Sequence, residues 1–131
     1  MDTTVKLFLA LVVVIFSNCS GEKPESKGCA FFKNGEFSYT ESSTVRIIRK
    51  DSLQIEYSID PQNPFQDTSI VTWKSPCVYY LSYKGSSNKE SLDWDTSEPI
   101  KVEIVKIQKN RYWFTASTSK FTKENQLIKL R

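Results

Sequence analysis

The chain has 131 residues, 18 basic against 15 acidic side chains, a net charge of +3, and 39% hydrophobic residues. This is enough for one small domain with a core, and a charge balance so near neutral gives no argument for nucleic acid. The absence of histidine removes histidine triads, histidine general bases and the commonest metal ligand.

The first segment reads as a leader. Lys6 and the amino terminus make a weakly positive start, and Leu7–Phe16 is an unbroken apolar run. That run is about half the ~20 residues that span a bilayer. Ser17-Asn18-Cys19-Ser20 ends it with small or polar residues, the pattern of a secretory signal. Two cleavage readings compete. Cutting after Cys19 would use Ser17 and Cys19 as the small residues. Cutting before Cys19 would leave it as a lipid-bearing first residue, and this is the expected outcome. Cysteine arithmetic supports it. The chain has three Cys, and lipid on Cys19 leaves Cys29 and Cys77, which an oxidising compartment would let pair. Two separate buried thiols are the alternative. Residues 1–18 are thus expected to be a signal peptide. Residues 19–27 are expected to be anchor and flexible tether, since Ser20–Lys27 carries no apolar side chain. Residues 28–131 are the domain.

Within the domain, period-two alternation recurs and no long stretch has a helical period. Asn34-Gly35 suits a hairpin turn between Ala30–Lys33 and Glu36–Thr40, or else lies in one bent strand. Thr44–Arg49 follows, and its Arg46, Arg49, Lys50 group reads as a solvated strand edge. Leu53, Ile55, Tyr57 and Ile59 alternate with Gln54, Glu56, Ser58 and Asp60, which predicts a strand with the apolar set inward. Asp60–Asp67 is a proline-bearing loop. Ile70–Lys74 and Cys77–Tyr83 are strands joined at Ser75-Pro76, with Cys77, Tyr79, Leu81 and Tyr83 on one face. The stretch 84–99 is the one long connection, with room for a short helix. Ile100, Val102 and Ile104 alternate with polar residues until the phase jumps to Val105 and Ile107, which predicts a β-bulge. Lys109-Asn110 suits a two-residue hairpin before Tyr112–Ala116, and Gln126–Leu130 is a last strand. About eight short strands in sequence pair as an antiparallel meander. An all-β, lipocalin-like barrel or half-barrel is expected, with a β-sandwich as the alternative.

Specific chemistry is sparse. No Cys-x-x-Cys pair occurs, and the glycines at 21, 28, 35 and 85 form no phosphate-cradling loop. Asp93-Trp94-Asp95 sets two carboxylates around an aromatic ring, a grouping suited to a cation or a sugar. The plainer reading is a solvated loop with Trp94 capping a barrel end. Adjacent aromatics in Tyr79-Tyr80 and Tyr112-Trp113 must split between the two sheet faces. That leaves Tyr80 and Trp113 for the outer face, as partner contacts or as rings covered by their surroundings.

Several motifs together resemble a family of small uncharacterised lipoproteins of the Bacteroidota. They are Cys29-Ala30-Phe31-Phe32-Lys33-Asn34-Gly35-Glu36-Phe37, Ile48-Arg49, Leu53-Gln54-Ile55-Glu56, and Val71-Thr72-Trp73 followed by Cys77-Val78-Tyr79-Tyr80-Leu81. The resemblance spans most of residues 29–130. Phe16-Ser17-Asn18-Cys19 is similar to the relaxed lipobox of that group, departing from the usual Leu and Gly or Ala at Phe16 and Asn18. Some members carry the label DNA topoisomerase IV. An exported chain of this length without a nucleotide-binding motif does not support strand passage, so the label is not carried over. The resemblance implies address and fold and no activity.

The resulting expectation is an exported outer-membrane lipoprotein of the cell envelope, facing periplasm or surface, monomeric, with no cofactor, metal or catalytic residue assigned. Its work would be non-enzymatic, as a binding or interaction module for an unknown partner, a protein or a small apolar ligand. The alternatives are a lipocalin-like carrier of a small apolar ligand, and a hydrolase built on Asp93 and Asp95.

Overall fold

A computed structural model describes residues 26–87 and 95–131. Cys19, Asp93, Trp94 and most of the expected tether lie outside them. The elements are α1 (Ser26–Ala30), β1 (Gly35–Ser38), β2 (Val45–Lys50), β3 (Leu53–Ser58), β4 (Gln66–Ser75), β5 (Val78–Ser86), β6 (Ile100–Gln108), β7 (Arg111–Ser117) and β8 (Thr122–Lys129). The strands pair in chain order, all antiparallel, and β1 pairs with β8 to close a barrel. Closure excludes the half-barrel and the sandwich. It also removes the free edges that an open sheet would leave unpaired.

Turn chemistry explains the hairpins. Lys50 pairs with Leu53 and Gln108 with Arg111, which leaves two-residue loops. Asp51 and Lys109 take positive φ in these loops, 55° and 56°, as tight primed turns require. The phase jump in β6 is a bulge, since register shifts between Ile104 and Lys106 and Val105 is exposed. The first hairpin, by contrast, does not form. Residues 26–30 are helical, so Ser26 and Lys27 belong to α1 rather than to a tether. Asn34 does not turn a strand but accepts a hydrogen bond from the Asp51 amide at 2.9 Å. Gly35 is required for a different reason: its φ is 144°, and a Cβ there would lie 2.7 Å from the Arg131 carbonyl oxygen.

The interior is filled at one end. Cys29, Phe32, Phe37, Ile47, Ile104, Tyr112 and Leu127 form one buried cluster, and Val71, Tyr79 and Val102 a second. α1 plugs this end, and a disulfide from Cys29 to Cys77 in the β4–β5 turn fixes it there, with Cα atoms 5.2 Å apart. Tyr79, Val102, Ile104 and Tyr112 face inward as their alternation predicts.

Two readings of side-chain direction are corrected. Arg49 is not on a solvated edge; it is 1% exposed, because Ile47 and Arg49 share the inner face of β2. β3 is reversed relative to its pattern. Gln54 is buried, whereas Leu53 and Ile59 are exposed. The register explains this. Gln54 pairs with both Arg49 and Ser69, and Glu56 pairs with Ile47 and Asp67. The polar set of β3 therefore shares the inner face with the buried residues of β2. Its apolar set joins Ile48 and Ile70 on the outer wall.

Candidate functional site: a cavity at the open end of the barrel

Arg49 builds the floor of the site. Its Nε donates to Gln54 Oε1 at 3.0 Å and its Nη1 to the Phe32 carbonyl at 2.7 Å. Nη2 donates to the hydroxyls of Tyr79 and Tyr112, each at 3.0 Å, and those two hydroxyls are 3.0 Å from one another. The guanidinium also stacks over the rings of Phe37 and Tyr79, at 4.8 and 4.6 Å. A buried charge is tolerable only when its donors are met, and here each named partner is a neutral oxygen. Burial works against the charge, but Tyr112 and Tyr79 outweigh it and hold the Arg49 pKa above the ordinary arginine value. Burial likewise pushes the Tyr79 hydroxyl well above the usual tyrosine range, with Arg49 opposing.

Above this floor the aromatic filling stops. Ala116, Leu81 and Ile100 replace large rings on the inner wall, and a cavity of about 270 Å³ remains. Its apolar wall is made by Ile47, Leu81, Ile100, Val102, Phe114 and Leu127. Phe121 in the β7–β8 connection lines its open end, and Tyr39 after β1 lines it while packing against the buried cluster below. The polar groups are few: Tyr39, Gln54, Glu56, Tyr79, Lys123 and Asn125. Tyr39 donates its hydroxyl to Glu56 Oε1 at 2.9 Å. Burial first, and then the Glu56 charge and this bond, hold the Tyr39 proton well above the usual tyrosine range. Lys123 Nζ lies 5.1 Å from the Phe121 ring. A smaller recess continues from the cavity along Glu56, Asp67, Ser69 and Tyr83. An apolar wall with a few convergent polar groups is the usual make-up of a small-molecule site, and this volume lies just below the ~300–1,000 Å³ typical of such sites.

Of the residues singled out from the sequence, Cys29 and Cys77 meet as a disulfide. Tyr80 and Trp113 are half-buried outside the cavity. Lys106 Nζ and Arg111 Cζ lie 4.7 Å and 5.9 Å from the Trp113 ring. Asp95 is exposed and organises its own loop: Ser97 and Lys120 hold its carboxyl well below the usual carboxylate range, and Lys120 Nζ is 2.9 Å away. It does not line the cavity. Sequence reasoning missed Tyr39, Gln54, Glu56, Lys123 and Asn125. The available signal was the in-register polar pair of neighbouring strands, Gln54 and Glu56 beside Ser69 and Asp67, which puts two polar sets on one face.

No protein-family model, curated protein or solved structure matches the chain.

Proposed function

We propose that this chain is an exported lipoprotein of the cell envelope, anchored through Cys19, whose barrel carries a small, mostly apolar molecule. The supporting observation is the cavity of about 270 Å³ at the open end, apolar on its wall and provided with Glu56, Tyr39, Lys123 and Asn125 as polar contacts. The leader, the Cys19 position and the resemblance to Bacteroidota lipoproteins support the address. Of the two binding readings, the cavity favours a ligand carrier over a surface that meets only proteins, because a barrel built only as scaffold has no need of unfilled interior. The wall offers dispersion and burial, worth ~25 cal/mol per Å² of apolar surface covered, and the polar groups orient the ligand.

The test is binding of the fluorescent amine 1-aminoanthracene to the full chain and to Ala116→Phe, which fills the cavity. Wild type should bind, and the variant should lose affinity ~tenfold or more, equal to at least ~1.4 kcal/mol, with its melting temperature retained. Equal binding by both forms, or none by wild type, overturns the carrier reading.

A further inference from the structure

The chain enters the barrel at its closed end. α1 starts at Ser26 and is held against the β4–β5 turn by the Cys29–Cys77 bond. The stretch from Cys19 to Ser26 reaches at most ~25 Å when fully extended. A lipid on Cys19 would therefore keep this end, not the cavity mouth, near the bilayer.

The surface of that end carries exposed apolar side chains. Phe31 is 53% exposed and Leu130 46% exposed, and both flank α1 and the barrel seam. Leu53, Ile48 and Ile70 continue the apolar surface onto the adjoining outer wall, where Leu53 pairs with Ile70 and Ile48 with Ile55. Cations surround it. Lys33, Lys50, Lys74, Lys109, Lys129 and Arg131 lie at or beside the closed-end turns and chain end, against Asp51 and Glu36. Glu36 is itself paired with Arg131 at 2.7 Å. At the open end, among the described residues, charges of both signs mix: Asp60, Asp67, Asp95 and Glu98 lie there with Arg46, Lys84, Lys101 and Lys120, Lys120 pairing with Asp95 at 2.9 Å, and Glu41 pairs with Arg111 at 2.7 Å.

We propose that the closed end, with the adjoining β2–β4 wall, is a docking face for an anionic lipid surface, and that the cavity mouth points away from the membrane. Exposed apolar side chains inside a basic border are the composition of a surface that settles into lipid headgroups. The proposal rests on the lipid-anchored reading and adds an orientation to it.

The experiment takes the full chain extracted from membranes and checks its intact mass for diacylglycerol on Cys19. The chain is then bound to vesicles of phosphatidylcholine alone and of phosphatidylcholine with phosphatidylglycerol, and lysine acylation is mapped by mass spectrometry. On acidic vesicles Lys50, Lys74 and Lys109 should lose reactivity about fivefold relative to Lys84 and Lys120, the factor expected for one surface-attracted charge. Phe31→Ser with Leu130→Ser, both at exposed positions, should reduce that protection. A lipidated chain with uniform lysine reactivity, or with Lys84 and Lys120 protected instead, overturns the orientation alone. A chain without lipid on Cys19 overturns the anchored reading and the orientation with it.

Discussion

Arg49 Nη2 donates to the Tyr112 hydroxyl at 3.0 Å across 63 residues of chain. That bond ties β2 to β7 through the barrel interior, where no backbone ladder joins them. Arg49→Leu keeps an apolar side chain of suitable bulk but strands Gln54 Oε1 and the Phe32 carbonyl and leaves the hydroxyls of Tyr79 and Tyr112 to bond each other. Each buried group left unmet costs ~1–3 kcal/mol. The expected loss of unfolding free energy is ~3 kcal/mol or more, read from guanidinium denaturation, with Arg49→Lys intermediate because an ammonium reaches fewer of these acceptors. An unchanged midpoint for Arg49→Leu would show that the guanidinium does not hold the base together.

Ile47 and Ile48 are neighbours with opposite fates, one 2% and the other 40% exposed. Ile47→Ala should cost ~2–5 kcal/mol, whereas Ile48→Ala should stay within about ±0.5 kcal/mol. Parallel urea titrations decide it. Comparable losses at both positions would contradict the inner face assigned to β2, and with it the reversed face of β3.

The Cys29–Cys77 bond closes a loop with a separation of 48 residues. Chain-entropy reasoning gives ~4 kcal/mol of stabilisation for such a loop. The double variant Cys29→Ala, Cys77→Ala should therefore unfold at clearly lower denaturant, and dithiothreitol should have the same effect on the wild type. Identical curves with and without reductant would show that the bond contributes no net stability.

Tyr39 and Tyr79 both hold their protons above the unfolded value of 10.0. The folded state then binds more protons than the unfolded state at high pH, so stability falls as pH rises. Their contribution is complete below pH 10 and is lost as pH climbs from there through the folded values. Chemical denaturation across the alkaline range should show this decline, and Tyr39→Phe should make it shallower. A variant with the wild-type slope would remove Tyr39 from the account.

The architecture was legible because alternation marks Leu53–Ile59, Cys77–Tyr83, Ile100–Ile107 and Tyr112–Ala116 as strands and turn residues such as Lys109-Asn110 separate the runs. Even the irregularity at Val105 shows in the sequence, since a bulge must break the period. The site was not legible, and the cause is specific. Alternation gives the period of a strand but not which set faces inward, and β3 carries its apolar residues outward. Gln54 and Glu56 look solvated until Arg49 and Tyr39 are seen to meet them, and those partners are distant in sequence. Arg49 misleads in the same way: a charged residue next to Lys50 reads as surface, and its burial is made tolerable by Gln54, the Phe32 carbonyl and the hydroxyls of Tyr79 and Tyr112. The short helix at Ser26–Ala30 gave no periodic signal at its length.

The seam between β1 and β8 has a consequence for the order of folding. Phe37 pairs with Lys129 and Ser38 with Ile128, while Glu36 exchanges hydrogen bonds with Leu130 and Arg131. Each other ladder joins strands that are neighbours in the chain, whereas β1 is completed only by β8, far along it. Until that seam forms, β1 and β8 each keep one side unpaired, and nothing local can satisfy them. Closing the barrel is therefore the long-range event of folding, and the slow one.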